Sequence, residues 1–93
     1  MKHLVEKFSK HVVIVNELGL HARSAARIAE IACGAQSDVW VIKDGEKVDA
    51  KSIIDMLTLA CGKGTEIEIK IDKPSDIDIL NRIADLIEDG FGE

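Results

Sequence analysis

Residues 11–15 read HVVIV, a short β-branched run, and Asn16-Glu17-Leu18-Gly19 follow it directly. A run of this kind bounded by turn residues predicts a strand ending near Val15. From Ala22 onward the small apolar positions change period: Ala22, Ala25, Ala26, Ala29, Ala32 and Cys33 fall at helical spacing on one face. Side chains this small let a helix lie close against a sheet, and Gly34 is placed to end it. Residues 38–43 (DVWVIK) predict a second strand, Asp44-Gly45 a two-residue hairpin turn, and residues 46–49 (EKVD) a short return strand. Ser52-Ile53-Ile54-Asp55 has capping-box spacing and predicts a short helix to about Ala60, closed by Gly62 and Gly64. Residues 65–71 (TEIEIKI) alternate polar and apolar, which predicts a strand with one wet face. After Lys73-Pro74 the stretch Ser75 to Asp78 repeats the cap pattern, and Ile77, Leu80, Ile83, Ala84 and Ile87 form the apolar stripe of a last helix.

The order is β-α-β-β-α-β-α, with no linker, repeat or low-complexity segment. Two right-handed β-α-β crossovers with a hairpin between them give a four-stranded antiparallel sheet covered by three helices on one face. This is an α+β open-faced β-sandwich. Trp40, the only tryptophan, is expected to pack in the sheet.

Composition narrows the function classes. A chain of 93 residues is one small domain, and 46% hydrophobic residues, mostly aliphatic, are enough for a core. Seventeen acidic against twelve basic side chains leave a net charge of −5, which argues against a nucleic-acid binder. Cys33 and Cys61 have neither CxxC nor metal-ligand spacing and are expected to be buried reduced thiols, with no metal site. No stretch has the apolar h-region of a signal peptide or the length of a membrane span, so a cytoplasmic protein with no membrane association is expected. No Ser/His/Asp set is present, and Gly62-Lys63-Gly64 lacks Walker spacing, so a self-contained catalyst is not expected. His3 and His11 lie in or beside the N-terminal segment and are read as non-functional.

His21 stands between the turn and the first helical residue. There its ring lies beside the unpaired N–H groups of a helix N-terminus, where the dipole favours an anion and disfavours the imidazolium. A neutral imidazole is a nucleophile. Were the ring phosphorylated, the helix amides and Arg23 would be suitable groups to receive the phosphoryl oxygens. Gly19 leaves room for a partner's active site to approach. Taken alone, though, a histidine at a helix start is more often an ordinary boundary residue, and Arg23 an ordinary solvated charge.

Gly19-Leu20-His21-Ala22-Arg23 followed by Ser24-Ala25, with Lys51-Ser52-Ile53-Ile54 and Gly62-Lys63-Gly64-Thr65-Glu66-Ile67, closely resembles the histidine-containing phosphocarrier (HPr) family of the phosphoenolpyruvate-dependent phosphotransferase system. The resemblance covers roughly residues 8 to 90 in the same element order, within one domain over 1–93 that carries a flexible extension over 1–7. It implies a carrier rather than an enzyme, needing no cofactor and working as a monomer. His21 would accept a phosphoryl group on Nδ1 from enzyme I, originating from phosphoenolpyruvate, and pass it to an enzyme IIA. Arg23 matches the family's active-site arginine, with Ala22 and Ser24 as phosphoryl-binding neighbours. Ser52 matches the serine that an ATP-dependent kinase, HPr kinase/phosphorylase, modifies in part of the family. Leu20, Arg27, Ile53 and Ile54 fall on the family's partner-docking surface.

The chain departs from the family pattern in three places. Ser24 replaces the proline usual after the arginine, keeping an N–H and adding a hydroxyl that could contact the phosphoryl group. Asp55 stands where glycine or a basic residue is usual, and its carboxylate opposes a phosphate on Ser52. The third is the extension itself. Arg23, Arg27 and Lys51 set against Glu30 and Asp55 make a weakly basic docking face, which shifts recognition toward apolar contact. The alternative to a transport role is a regulatory module in nitrogen or carbon signalling that binds partners according to its His or Ser phosphorylation state. A purely structural ferredoxin-like domain is the third reading.

Overall fold

The computed structural model describes residues 8–93, and the extension expected over 1–7 lies outside the described residues. The elements are β1 (Ser9–Val13), α1 (Ala22–Ala32), β2 (Val39–Lys43), β3 (Glu46–Asp49), α2 (Ile53–Leu57), β4 (Glu66–Ile71) and α3 (Ile77–Glu88). Single 3-10 turns at Pro74–Asp76 and Gly90–Gly92 precede and follow α3.

The four strands form one antiparallel sheet in the order β1-β4-β2-β3. Val12 stands opposite Ile67 and Val41 opposite Ile69, so the buried members of neighbouring strands share one face. Each of α1 and α2 connects two parallel strands that have a third strand between them, the open-faced sandwich expected from the sequence. Val39, Val41, Ile67, Ile69 and Ile71 face inward with Ile28, Met56, Leu80, Ile83 and Ile87, in a core built mainly of branched aliphatics and alanines.

The alternation that buries Val39 and Val41 turns Trp40 to the open face, so the expectation of a core tryptophan is corrected. Its indole N–H donates to Asp72 at 3.1 Å, and the Lys47 ammonium lies 4.4 Å from the ring centroid. The buried face of α1 is likewise rotated from the alanine stripe. Ser24, Ala25, Ile28, Ala29 and Ala32 are buried, whereas Ala22 and Cys33 are exposed. The large side chain of Ile28 sets the centre of the face, and Cys33 falls beyond its edge. Cys61 is the buried thiol, and desolvation raises its pKa.

Several boundaries also moved. β1 begins at Ser9, although Ile14 still pairs with Thr65 and Gly64 through backbone bonds of 2.9 and 2.7 Å. α2 stops at Leu57 rather than Ala60. Ala60 itself takes the left-handed turn (φ 55), with the Lys43 ammonium donating to the carbonyls of Leu59 and Ala60. Ser75 is not the cap of the last helix. Pro74 opens a 3-10 turn, and the buried carboxylate of Asp76 accepts the N–H groups of Gln36 and Ser37 at 2.8 and 3.0 Å. That carboxylate ties the loop after α1 to the start of α3. Ile77, the first residue of the predicted stripe, is 38% exposed because the helix has only begun there.

Candidate functional site

The chain enters α1 through a turn built on backbone proximity. The Gly19 N–H donates to the Asn16 carbonyl (3.1 Å) and the Leu20 N–H to the Cys61 carbonyl (2.8 Å), which presses the turn against the segment after α2. Gly19 takes φ +68, and a Cβ there would stand 2.5 Å from the Cys61 carbonyl oxygen, so only glycine fits. Leu20, expected on the docking surface, is 7% exposed and belongs to the core, because this contact turns it inward.

His21 is the N-cap of α1, with extended backbone (φ −119), and its carbonyl accepts the Ala25 N–H at 2.8 Å. Its own N–H donates to Ser24 Oγ at 2.9 Å, one half of a capping box; the approach of the Ser24 N–H to the His21 side chain is looser than a hydrogen bond. The Ser24 hydroxyl is fully buried, with the carbonyls of Gly19 and His21 at 3.2 and 3.1 Å as its acceptors. It therefore closes the turn from inside and does not face outward, where the sequence reading had it meeting a phosphoryl group.

The far end of the chain completes the site. Beyond α3 the backbone reverses at Gly90 (φ 68), and Phe91 buries its ring, 1% exposed. The Arg27 guanidinium donates to the Phe91 carbonyl. Anchored in this way, the tail lays Glu93 over the start of α1. Glu93 Oε2 lies 2.8 Å from His21 Nε2, with the two side chains 29% and 26% exposed on the histidine and glutamate sides. Glu93 Oε1 accepts from Asn16 Nδ2 at 3.0 Å, and the same amide donates to the Gly19 carbonyl at 2.9 Å. The hydrogen bond from His21, then that from Asn16, holds the Glu93 carboxyl below the usual carboxylate range against a smaller opposing effect of burial, with a further contribution from the positive charge of Arg23.

Ala22 and Arg23 are exposed on the first turn of α1. α2 packs against α1 and presents Ile53, Ile54 and Leu57 at 37%, 75% and 38% exposure, beside the polar start of the longer helix. Ser52, the N-cap of α2, accepts the Asp55 N–H on Oγ at 3.2 Å. Asn16 and Glu93 carried no signal in the sequence reading. Asn16 looked like one turn residue among four, and Glu93 is 72 positions from the ring it touches. An aromatic between two glycines, Gly90-Phe91-Gly92, was the one hint of a tail that doubles back. Among the described residues no group of three or more His, Cys, Asp or Glu side chains could hold a metal.

The fold is that of a small open-faced sandwich with a half-exposed histidine at the start of its first helix. The family pattern described as the PTS HPr component phosphorylation site matches residues 8–89. The chain is 39% identical over 82 residues to the phosphocarrier protein HPr of Neisseria meningitidis, covering 88% of this chain and 92% of that one. It is 36% identical over 84 residues to the HPr of Cupriavidus necator, covering 90% and 94%. The crystal structure of HPr-C-His from Thermoanaerobacter tengcongensis superposes with a TM-score of 0.85 at 35% identity, covering 91% of this chain and 96% of that one. The chain belongs to the HPr family of phosphotransferase-system phosphocarriers.

Proposed function

We propose that His21 is the phosphoryl acceptor of this carrier, receiving the group from enzyme I at the expense of phosphoenolpyruvate and passing it to an enzyme IIA in the cytoplasm. The observation that supports this most is the placement of a partly exposed imidazole as the N-cap of an eleven-residue helix that has no acidic residue in its first turn. The amides of that turn and the exposed Arg23 carry the positive character that a phosphoryl group's oxygens require. Transfer onward depends on docking, for which Ile53, Ile54 and the exposed face of Arg27 supply the surface. The exposed Ala22 leaves the ring approachable.

Ser52 is a weaker modification site. Its hydroxyl is already the cap of a five-residue helix, and Asp55 on the first turn opposes a second negative charge. A regulatory role through Ser52 needs a partner that overcomes both. Incubating the protein with enzyme I and phosphoenolpyruvate is expected to yield an acid-labile, base-stable phosphoprotein, and His21→Ala is expected to yield none while retaining its fold by circular dichroism. Label retained by that variant would refute the assignment.

A further inference from the structure

We infer that Asn16 and Glu93 are positioning residues for His21: the buried Asn16 amide holds the Glu93 carboxylate against Nε2, and the carboxylate keeps the ring proton on Nε2 so that Nδ1 presents its lone pair. The inference deepens the reading of His21 as phosphoryl acceptor and rests on it.

The orientation of the Asn16 amide follows from its partners. Two acceptors, the Gly19 carbonyl at 2.9 Å and Glu93 Oε1 at 3.0 Å, surround one end of it, so that end is the NH2 group and both its hydrogens are used. Asn16 is 6% exposed, and among the described residues its Oδ1 finds no hydrogen-bond partner. A buried orphan acceptor is a cost. The position therefore keeps an asparagine for its two donations, one to the turn that carries His21 and one to the carboxylate that touches the ring. The Arg27 contact with the Phe91 carbonyl and the buried Phe91 ring hold the backbone that brings this carboxylate into place.

The chemistry at the ring follows from the proton inventory. An ionised carboxylate only accepts, so the 2.8 Å contact requires Nε2 to donate. In the neutral imidazole that leaves Nδ1 without a proton and nucleophilic. When the Nδ1 lone pair forms a bond to phosphorus, the bond from phosphorus to the donor atom breaks and its electron pair leaves with the donor. The Nε2 proton stays where it is, and the positive charge the ring acquires faces Glu93. On onward transfer the N–P electron pair returns to the ring, which departs as the same neutral tautomer. Arg23 acts on the same carboxylate through its positive charge, and the Nε2 contact belongs to Glu93.

The test uses the full chain labelled with 15N in histidine. At neutral pH the His21 ring is expected to show a protonated Nε2 and an unprotonated Nδ1, and Glu93→Gln and Asn16→Asp are expected to weaken that preference. With enzyme I and phosphoenolpyruvate, both variants are expected to slow phosphoryl acceptance at saturating donor by roughly fivefold with KM little changed, the effect an exposed charge-assisted contact supports. Glu93→Gln alters an exposed side chain, so its result stands even if Asn16→Asp fails to fold. A wild-type ring protonated mainly on Nδ1, or a Glu93→Gln protein with wild-type tautomer and rate, would overturn the positioning role. His21→Ala run in parallel separates the two layers: phosphate on that variant removes the acceptor assignment itself, whereas its absence together with an unaffected Glu93→Gln removes only Asn16 and Glu93.

Discussion

The two helices that meet on the candidate docking side begin in opposite ways. α1 starts at His21, whose backbone N–H is satisfied by Ser24 from within the first turn, and whose ring makes no cap hydrogen bond and is engaged by Glu93 from the far end of the chain. α2 starts at Ser52, whose own side chain is the cap, spent on the Asp55 N–H. α1 runs eleven residues with no acidic side chain in its first turn; α2 runs five, with Asp55 there. The difference teaches how a helix N-terminus becomes available for chemistry. In α1 the ring is not spent on a helix amide, the helix is long enough to carry a dipole, and the first turn holds no acidic residue of its own; the one carboxylate at the ring comes from the tail.

That contrast can be broken most severely at Gly19. Gly19→Ala places a Cβ into the Cys61 carbonyl at a left-handed backbone position and is expected to cost about 3 kcal/mol, read as a lowered urea midpoint. A loss under 1 kcal/mol would show that the turn carrying His21 is more compliant than its geometry implies. Next come the two serines. Ser24→Ala strips the partner of the His21 N–H inside a dry turn and is expected to cost about 2 kcal/mol, whereas Ser52→Ala removes an ordinary half-exposed cap at about 1 kcal/mol. Equal losses in paired denaturation curves would erase the distinction between a serine that holds the N-cap's own N–H and one that caps the helix directly.

The smallest effect concerns pH. The Glu93 carboxyl is held below its ordinary range in the folded protein, so the unfolded state binds its proton first as pH falls. The contact with His21 and Asn16 therefore contributes fully above the ordinary carboxylate range and is lost as pH drops through the lowered value. A 13C titration of the Glu93 carboxyl is expected to show a midpoint below that of a free glutamate; a midpoint at or above it would mean the tail does not rest on the ring.

Local periodicity made most of the fold legible, because β2, β4 and the two long helices each have one buried face and the period of that face is written largely in Val, Ile, Leu and Ala. It misled where a single large residue or a distant partner decides. Ile28 rotated the buried face of α1 and left Cys33 exposed. Gln36 and Ser37 claimed the Asp76 carboxylate, and the last helix consequently starts without the serine cap its sequence suggested. The site divides along the same line. His21 and Arg23 sit in one short motif whose helix start could be read from the chain, and the family resemblance named them. Asn16 and Glu93 meet only because the tail reverses at Gly90 and buries Phe91, and no local pattern encodes a contact across the whole chain. Ser24 stands out in the chain as a departure from the family pattern, but burial, not spacing, decides which side of a first turn a hydroxyl serves.

The most direct test of the central claim is the nitrogen to which phosphorus becomes bonded. With 15N-histidine protein phosphorylated by enzyme I and phosphoenolpyruvate, one-bond coupling between phosphorus and nitrogen is expected at Nδ1 of His21. Coupling at Nε2, the nitrogen that Glu93 occupies, or at any other residue, would contradict the account.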